Sequence, residues 1–127
     1  MAFPINPSIN STHQIDDRVW FFNGTAWQRI DVVNTKLITG ATYNAEVTDY
    51  YIGVSYSGTA GIVLPSLPVN GQMLIVKDES GRAGDPYKYI VIRGASMGDK
   101  IDNKDSAIIN INNGALDFIY RNGWRIV

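Results

Sequence analysis

The sequence has no cysteine, a single histidine, no cluster of like charge and no long apolar run, and each absence removes a class of function. Without cysteine there are no disulfides, thiolate nucleophiles or zinc–cysteine sites, which fits synthesis in a reducing compartment. The one histidine, His13, sits between Thr12 and Gln14. A Ser/His/Asp arrangement would need it to meet a distant serine, and no G-x-S-x-G elbow presents one. His13 therefore reads as a surface polar residue. Eleven basic and twelve acidic residues leave a net charge of −1 and a pI of about 5.7. The basic residues are scattered, so the chain offers no electrostatic footprint for nucleic acid or an anionic membrane. Apolar runs such as Val19-Trp20-Phe21-Phe22 and Met73-Leu74-Ile75-Val76 stop at four residues, against the roughly 20 of a membrane-spanning helix. Met1 to Asn10 lacks a basic start followed by an apolar stretch, so no signal peptide is expected. These readings describe a soluble chain with neither nucleic acid nor membrane as partner.

What the sequence has in plenty is turn chemistry. Four Asn-Gly pairs punctuate its 127 residues, at Asn23-Gly24, Asn70-Gly71, Asn113-Gly114 and Asn122-Gly123. Both residue types tolerate the positive φ that two-residue hairpin turns demand, so each pair marks a candidate hairpin. Asp78-Glu79-Ser80-Gly81 adds a turn, and Pro65 to Pro68 a break. Short runs with strand character lie between. Tyr50, Ile52, Val54 and Tyr56 alternate with Tyr51, Gly53 and Ser55, the period-2 pattern of a half-buried strand. Gly61 to Leu64, Gln72 to Lys77, Tyr87 to Arg93, Ala107 to Ile111, Ala115 to Tyr120 and Trp124 to Val127 complete the set. Gln72 to Lys77 is apolar on both faces and is expected at the centre of a sheet. No window of ten residues carries a helical apolar spacing free of Gly, Pro or β-branched clusters.

Several short strands separated by turn signals predict an all-β fold, a sandwich or small barrel. The expected architecture is an antiparallel jelly-roll-like β-sandwich over residues 46–127, preceded by an N-terminal extended arm and aromatic hairpin (1–33) and a connector (34–45). A domain of this length can bury about two-thirds of its unfolded surface and needs no staples. In the N-terminal hairpin, a two-residue loop at Asn23-Gly24 would set Phe22 opposite Thr25 and Trp20 opposite Trp27. An isolated hairpin is marginal in water, so this aromatic face needs a surface to pack on: the main domain, another subunit or a partner. In the closing hairpin, a two-residue turn at Asn122-Gly123 would pair Ile119 with Ile126, Phe118 with Val127 and Tyr120 with Arg125. Both faces would then be apolar, whereas a solvent-facing antiparallel sheet keeps one polar face. That places Phe3, Trp20, Phe22, Trp27, Ile119, Trp124 and Ile126 among the candidate partner-interface residues, while Tyr50, Phe118 and Trp124 also suit a core.

No catalytic, cofactor or metal site is expected. Ten of the twelve acids are aspartate, and many sit beside Gly, Asn or Ser, where Asp serves turn geometry. Paired carboxylates could in principle hydrolyse a glycoside, but no pair stands out. Asp99, Asp102, Asn103 and Asp105 are the densest oxygen cluster. Their spacing departs from the calcium-loop pattern, and Lys100 and Lys104 interleave positive charge. Gly81 to Pro86 lacks the Lys-Ser/Thr of a phosphate loop. The three Trp, seven Tyr and four Phe are the richer signal, since such side chains anchor protein interfaces or stack on sugars.

From Tyr50 to Val127 the sequence resembles a β-structured module of bacteriophage fibre and virion-surface proteins. The elements that carry the resemblance are the aromatic strand Tyr50 to Val54, Ile62-Val63-Leu64-Pro65, the Gly71 to Gly81 segment ending in Lys77-Asp78-x-Ser80-Gly81, Ile90-Val91-Ile92, Ile101-Asp102, and the hairpin Phe118 to Ile126. Phe3-Pro4-Ile5-Asn6-Pro7 and the Trp20 to Trp27 hairpin are similar to a segment frequent in phage structural proteins. The resemblance implies a homotrimer without a cofactor, assembled in the host cytoplasm and located on the virion surface, that docks on capsid, baseplate or fibre proteins. Fibres normally add long shafts or coiled coils, which this sequence lacks, so a capsid-decoration (cement) protein or fibre adaptor is the closer expectation. A glycan-binding receptor-recognition module, with a host glycan as partner, is the alternative, and a small hydrolase the most distant one.

Overall fold

A computed structural model describes residues 3–15, 18–30 and 32–127; Met1, Ala2, Asp16, Asp17 and Asp31, which belong to the expected N-terminal segment, lie outside them. All regular secondary structure among the described residues is strand. The chain divides into two units, residues 1–34 and 35–127.

The first unit is an antiparallel sheet of β1 (Thr12–Ile15), β2 (Arg18–Phe22) and β3 (Trp27–Ile30), with β2 in the middle. The β2–β3 loop has four residues, not two, because the Asn23 side-chain oxygen accepts the backbone N–H groups of Thr25 (3.0 Å) and Ala26 (2.9 Å). Phe22 consequently pairs with Trp27, and Trp20 with the backbone of Arg29. A shift of two positions preserves the pleat, so Trp20, Phe22 and Trp27 share one face as the sequence implied. The arm is not extended. Asn6 (φ 54°) and Asn10 (φ 68°) turn it back, and it continues the ladder through Asn10 N–H to Phe22 O (2.7 Å) and Phe22 N–H to Ser11 O (3.0 Å).

The second unit contains β4 (Thr35–Ile38), β5 (Thr42–Asn44), β6 (Tyr51–Val54), β7 (Ala60–Val63), β8 (Met73–Asp78), β9 (Ile90–Arg93), β10 (Ser106–Ile109), β11 (Ala115–Tyr120) and β12 (Trp124–Ile126). Residues 34–45, expected as a connector, thus hold two strands. They form a five-stranded sheet, β12-β11-β8-β6-β4, and a four-stranded sheet, β10-β9-β7-β5. From β4 to β9 the chain alternates between the sheets, and each strand lies parallel to the one two places earlier. Only afterwards do β10, β11 and β12 add antiparallel neighbours.

The expectation of an antiparallel jelly roll is corrected here. Parallel neighbours need a crossover, and each crossover in this unit is a strand of the opposite sheet. Accordingly only Asn23-Gly24 and Asn122-Gly123 close hairpins. Asn70-Gly71 and Asn113-Gly114 turn the chain from one sheet to the other.

One core joins the two sheets. Ile52, Val54, Leu74, Val76, Phe118 and Trp124 enter from the larger sheet, and Ala60, Ile62, Ile90, Ile92, Ala107 and Ile109 from the smaller. Strand β8, apolar on both faces, takes the central place in its sheet as expected.

Candidate functional site

Within the first unit, direct pairing places His13 of β1 beside Trp20 of β2. The arm supplies the cover for this aromatic face. Phe3 stacks on Trp27 (centroids 5.1 Å apart, 17° between planes) and meets Trp20 (5.3 Å) and His13 (5.9 Å) edge-on. Phe22 lies 5.6 Å from Trp27. Each such ring pair contributes about 0.5–1.5 kcal/mol beyond burial. The surface that the hairpin needs is therefore furnished in part by its own chain, and Phe3, Trp20, Phe22 and Trp27 are half-buried against one another. His13 is half-buried, and its Nε2 is buried with no hydrogen-bond partner among the described residues.

In the second unit, the β11–β12 loop has three residues, Arg121, Asn122 and Gly123, closed by Arg121 N–H to Gly123 O (2.9 Å). Asn122 (φ 49°) and Gly123 (φ 128°) supply the positive φ angles. Tyr120 pairs with Trp124, Ile119 with Arg125 and Phe118 with Ile126. This differs from the expected register by an odd step, which reverses one strand's faces. Phe118, Tyr120, Trp124 and Ile126 now share the inner face, while Ile119 joins Asp117 and Arg125 outside. Trp124 is 1 % exposed and belongs to the core, so it is withdrawn from the interface candidates. Ile119 is half-buried on the outer face, and Ile126 stays exposed at the sheet edge.

The Lys77-Asp78-x-Ser80-Gly81 motif has a structural explanation. Asp78, 1 % exposed, accepts the Ser80 N–H (3.0 Å) and hydroxyl (2.6 Å) on one oxygen and the N–H groups of Ala83 and Asn113 (3.0 Å each) on the other. Burial pushes its pKa up, but the Ser80 hydroxyl and the three N–H groups outweigh that and hold it below the ordinary value. Gly81 adopts φ 75° in the same turn. Nearby, Tyr51 donates to Glu79 (2.7 Å), whose carboxylate crosses Gly53 where a Cβ would collide with it. That bond, with burial and the Glu79 charge, pushes the Tyr51 phenol up to about 12.

The acidic loop is occupied by its own hydrogen bonds. Asp99 accepts Ser96 N–H (3.1 Å), Asp102 accepts Ile126 N–H (3.2 Å), and Asp105 pairs with Lys100. Among the described residues, no three His, Cys, Asp or Glu side chains converge to hold a metal.

Two concave surfaces in this unit were not legible in the sequence. One is a shallow depression lined by Val47, Leu67, Val69, Asn70, Gly71 and Gln72. Its apolar members are open to solvent, at 58 % for Val47, 92 % for Leu67 and 70 % for Val69. Leu67 also carries φ 51°, uncommon for a bulky residue. A bond from Gln72 Nε2 to Val47 O (3.1 Å) ties the two loops together. The signal in the sequence was a leucine and a valine placed in a proline-flanked loop rather than in a strand. The other surface is a cleft of about 300 Å³ lined by Asp99, Lys100, Asn103, Tyr120, Asn122 and Arg125, with Trp124 behind them. Its two walls, the 98–103 loop and the β11–β12 hairpin, are joined by the bridge between Ile101 and Trp124.

No family model matches the chain, and no match is found among curated proteins. Among solved structures the chain is similar to one described as "Structure of a chaperone-substrate complex", with a TM-score of 0.46 and 20 % identity. The likeness covers 86 % of this chain and 18 % of that one.

Proposed function

We propose that this protein is a structural component of a bacteriophage particle surface, a capsid-decoration or fibre-associated protein that acts by docking on other virion proteins. The observation that carries the docking part is the depression at Val47, Leu67 and Val69. Adjoining exposed apolar side chains on a soluble protein mark a place where another protein sits, and here they are held on two loops tied to each other. The phage assignment rests on the resemblance of residues 50–127 and of the N-terminal aromatic segment to virion modules. We read the body as a β-sandwich, two sheets over one core, that assembles as a homotrimer without a cofactor. The first unit, with its own small aromatic cluster, serves as a second attachment element.

Size-exclusion chromatography with light scattering tests the reading. The expected mass is three times the 14.0 kDa of the chain. Leu67→Asp is expected to weaken self-association or particle binding about tenfold or more, the scale of one buried apolar anchor. A monomer at micromolar concentration that does not bind particles would overturn it.

A further inference from the structure

We propose that the cleft between the 98–103 loop and the β11–β12 hairpin binds a neutral saccharide unit. The cleft shares no lining residue with the apolar depression, so the proposal is independent of the docking reading.

The polar groups in the cleft are only partly used by the protein. Asp99 commits one oxygen to Ser96 N–H and leaves the other open. Asn122 accepts from Asn70 Nδ2 (3.2 Å) through its carbonyl, leaving its own NH₂ free to donate. Among the described residues, Asn103 and the Tyr120 hydroxyl have no side-chain hydrogen-bond partner. Arg125 has one long contact, to Arg121 O at 3.5 Å. One small cleft therefore offers free acceptors and free donors together, beside a half-buried aromatic ring.

That combination selects the ligand chemistry. A sugar hydroxyl both donates and accepts, so a polyol satisfies a mixed wall, whereas a simple ion does not. A phosphate or carboxylate would face Asp99 and find Lys100 already paired with Asp105. A cation would face Arg125. The Tyr120 ring adds an apolar edge against which the C–H groups of a pyranose can lie. The volume, about 300 Å³, is at the small end of ligand sites, which run roughly 300–1,000 Å³, and suits one or two sugar rings.

The experiment is a titration of the ¹⁵N-labelled full-length protein, followed by amide shifts, with methyl α-D-glucopyranoside, methyl β-D-galactopyranoside and N-acetylglucosamine at millimolar concentration. D-glucuronate and inorganic phosphate serve as charged comparators. At least one neutral sugar is expected to shift the amides of Asp99, Asn103, Gly123 and Arg125 as a saturating set. Arg125→Ala, and Asn103→Gly, which tolerates the φ of 66° at that position, are each expected to weaken binding about tenfold, the scale of one lost hydrogen bond. Unchanged amide shifts away from the cleft show that each variant is folded. Shifts scattered over the surface, no shift with any neutral sugar, or shifts with glucuronate or phosphate alone would overturn the proposal. The map from the unmodified protein decides this even if a variant fails to fold.

Discussion

Asp78 shows how one buried carboxylate can tie two segments together. Its two oxygens serve the 78–83 turn and, through Asn113, the loop that leads into β11. An ionised carboxylate buried this deeply is tolerated because each oxygen is met by donors. Its pKa is lowered in the folded state, so its contribution to stability is fully present above the unfolded-state value of about 3.9. It is lost as pH falls through the lower folded value. Asp78→Asn is nearly isosteric, but its NH₂ would face N–H groups instead of accepting them. We expect a loss on the order of 2–3 kcal/mol at neutral pH, the cost of buried donors left unpaired. The variant should also lose less additional stability than the natural protein between about pH 4 and pH 3. Urea denaturation across that range reads both effects, and parallel curves would refute the role given to this carboxylate.

At the scale of the elements, sheet edges matter most. Strand β12 is finished by the Ile101 bridge to Trp124 and by the Asp102 backbone and side chain, which bond Trp124 O and Ile126 N–H. At the opposite edge, β4 has no strand beyond it in its sheet among the described residues. There Lys36 pairs with Ile52, a residue of the core face. A charge at an inward position on an edge strand discourages another strand from adding. Lys36→Ile would complete the apolar row with Ile38 and remove that safeguard. We expect concentration-dependent growth beyond the mass of the natural protein in light scattering at micromolar protein; an unchanged mass would show that β4 is blocked by other means.

The same element shows what sequence reading can and cannot reach. Period-2 alternation is local, so β6 to β12 were legible within a residue or three of their observed limits. A ladder between Thr35 and Tyr51 or between Tyr51 and Ile75 is not local, and the three to four residues of β4 and β5 are too short to show a period. The parallel winding was lost for that reason. Loop length was the other blind spot. Asn-Gly indicates a turn but not whether two, three or four residues form it, and in the β11–β12 hairpin that one residue decides which faces are apolar. That Trp20, Phe22 and Trp27 share a face could be read from spacing, but not the cover that Phe3 gives them or the place of His13 beside them. The cleft could not be read, because its walls, more than fifteen positions apart in the chain, meet only in the folded protein, through the Ile101–Trp124 bridge and the bonds of Asp102 to β12.

At the scale of the whole molecule, the apolar burial is unequally divided. The buried core described lies between Ile38 and Trp124, whereas none of the first-unit residues whose side chains are described is more than half-buried. A three-stranded sheet held by a few ring contacts is near the lower limit of independent stability. The second unit, with about 90 residues, is large enough to support itself. Residues 35–127 produced alone are therefore expected to keep the near-ultraviolet circular dichroism of Trp124 and its surrounding tyrosines, with a melting midpoint within a few degrees of the full chain, about the shift that 1 kcal/mol causes in a domain of this size. In the full chain the tryptophans divide between the units, with Trp20 and Trp27 in the first and Trp124 in the second. Fluorescence followed through heating should then show two steps, and replacing Trp124 with Phe should remove most of the later one. A single transition, or a 35–127 fragment that fails to fold, would mean that the first unit is needed to complete the core of the second.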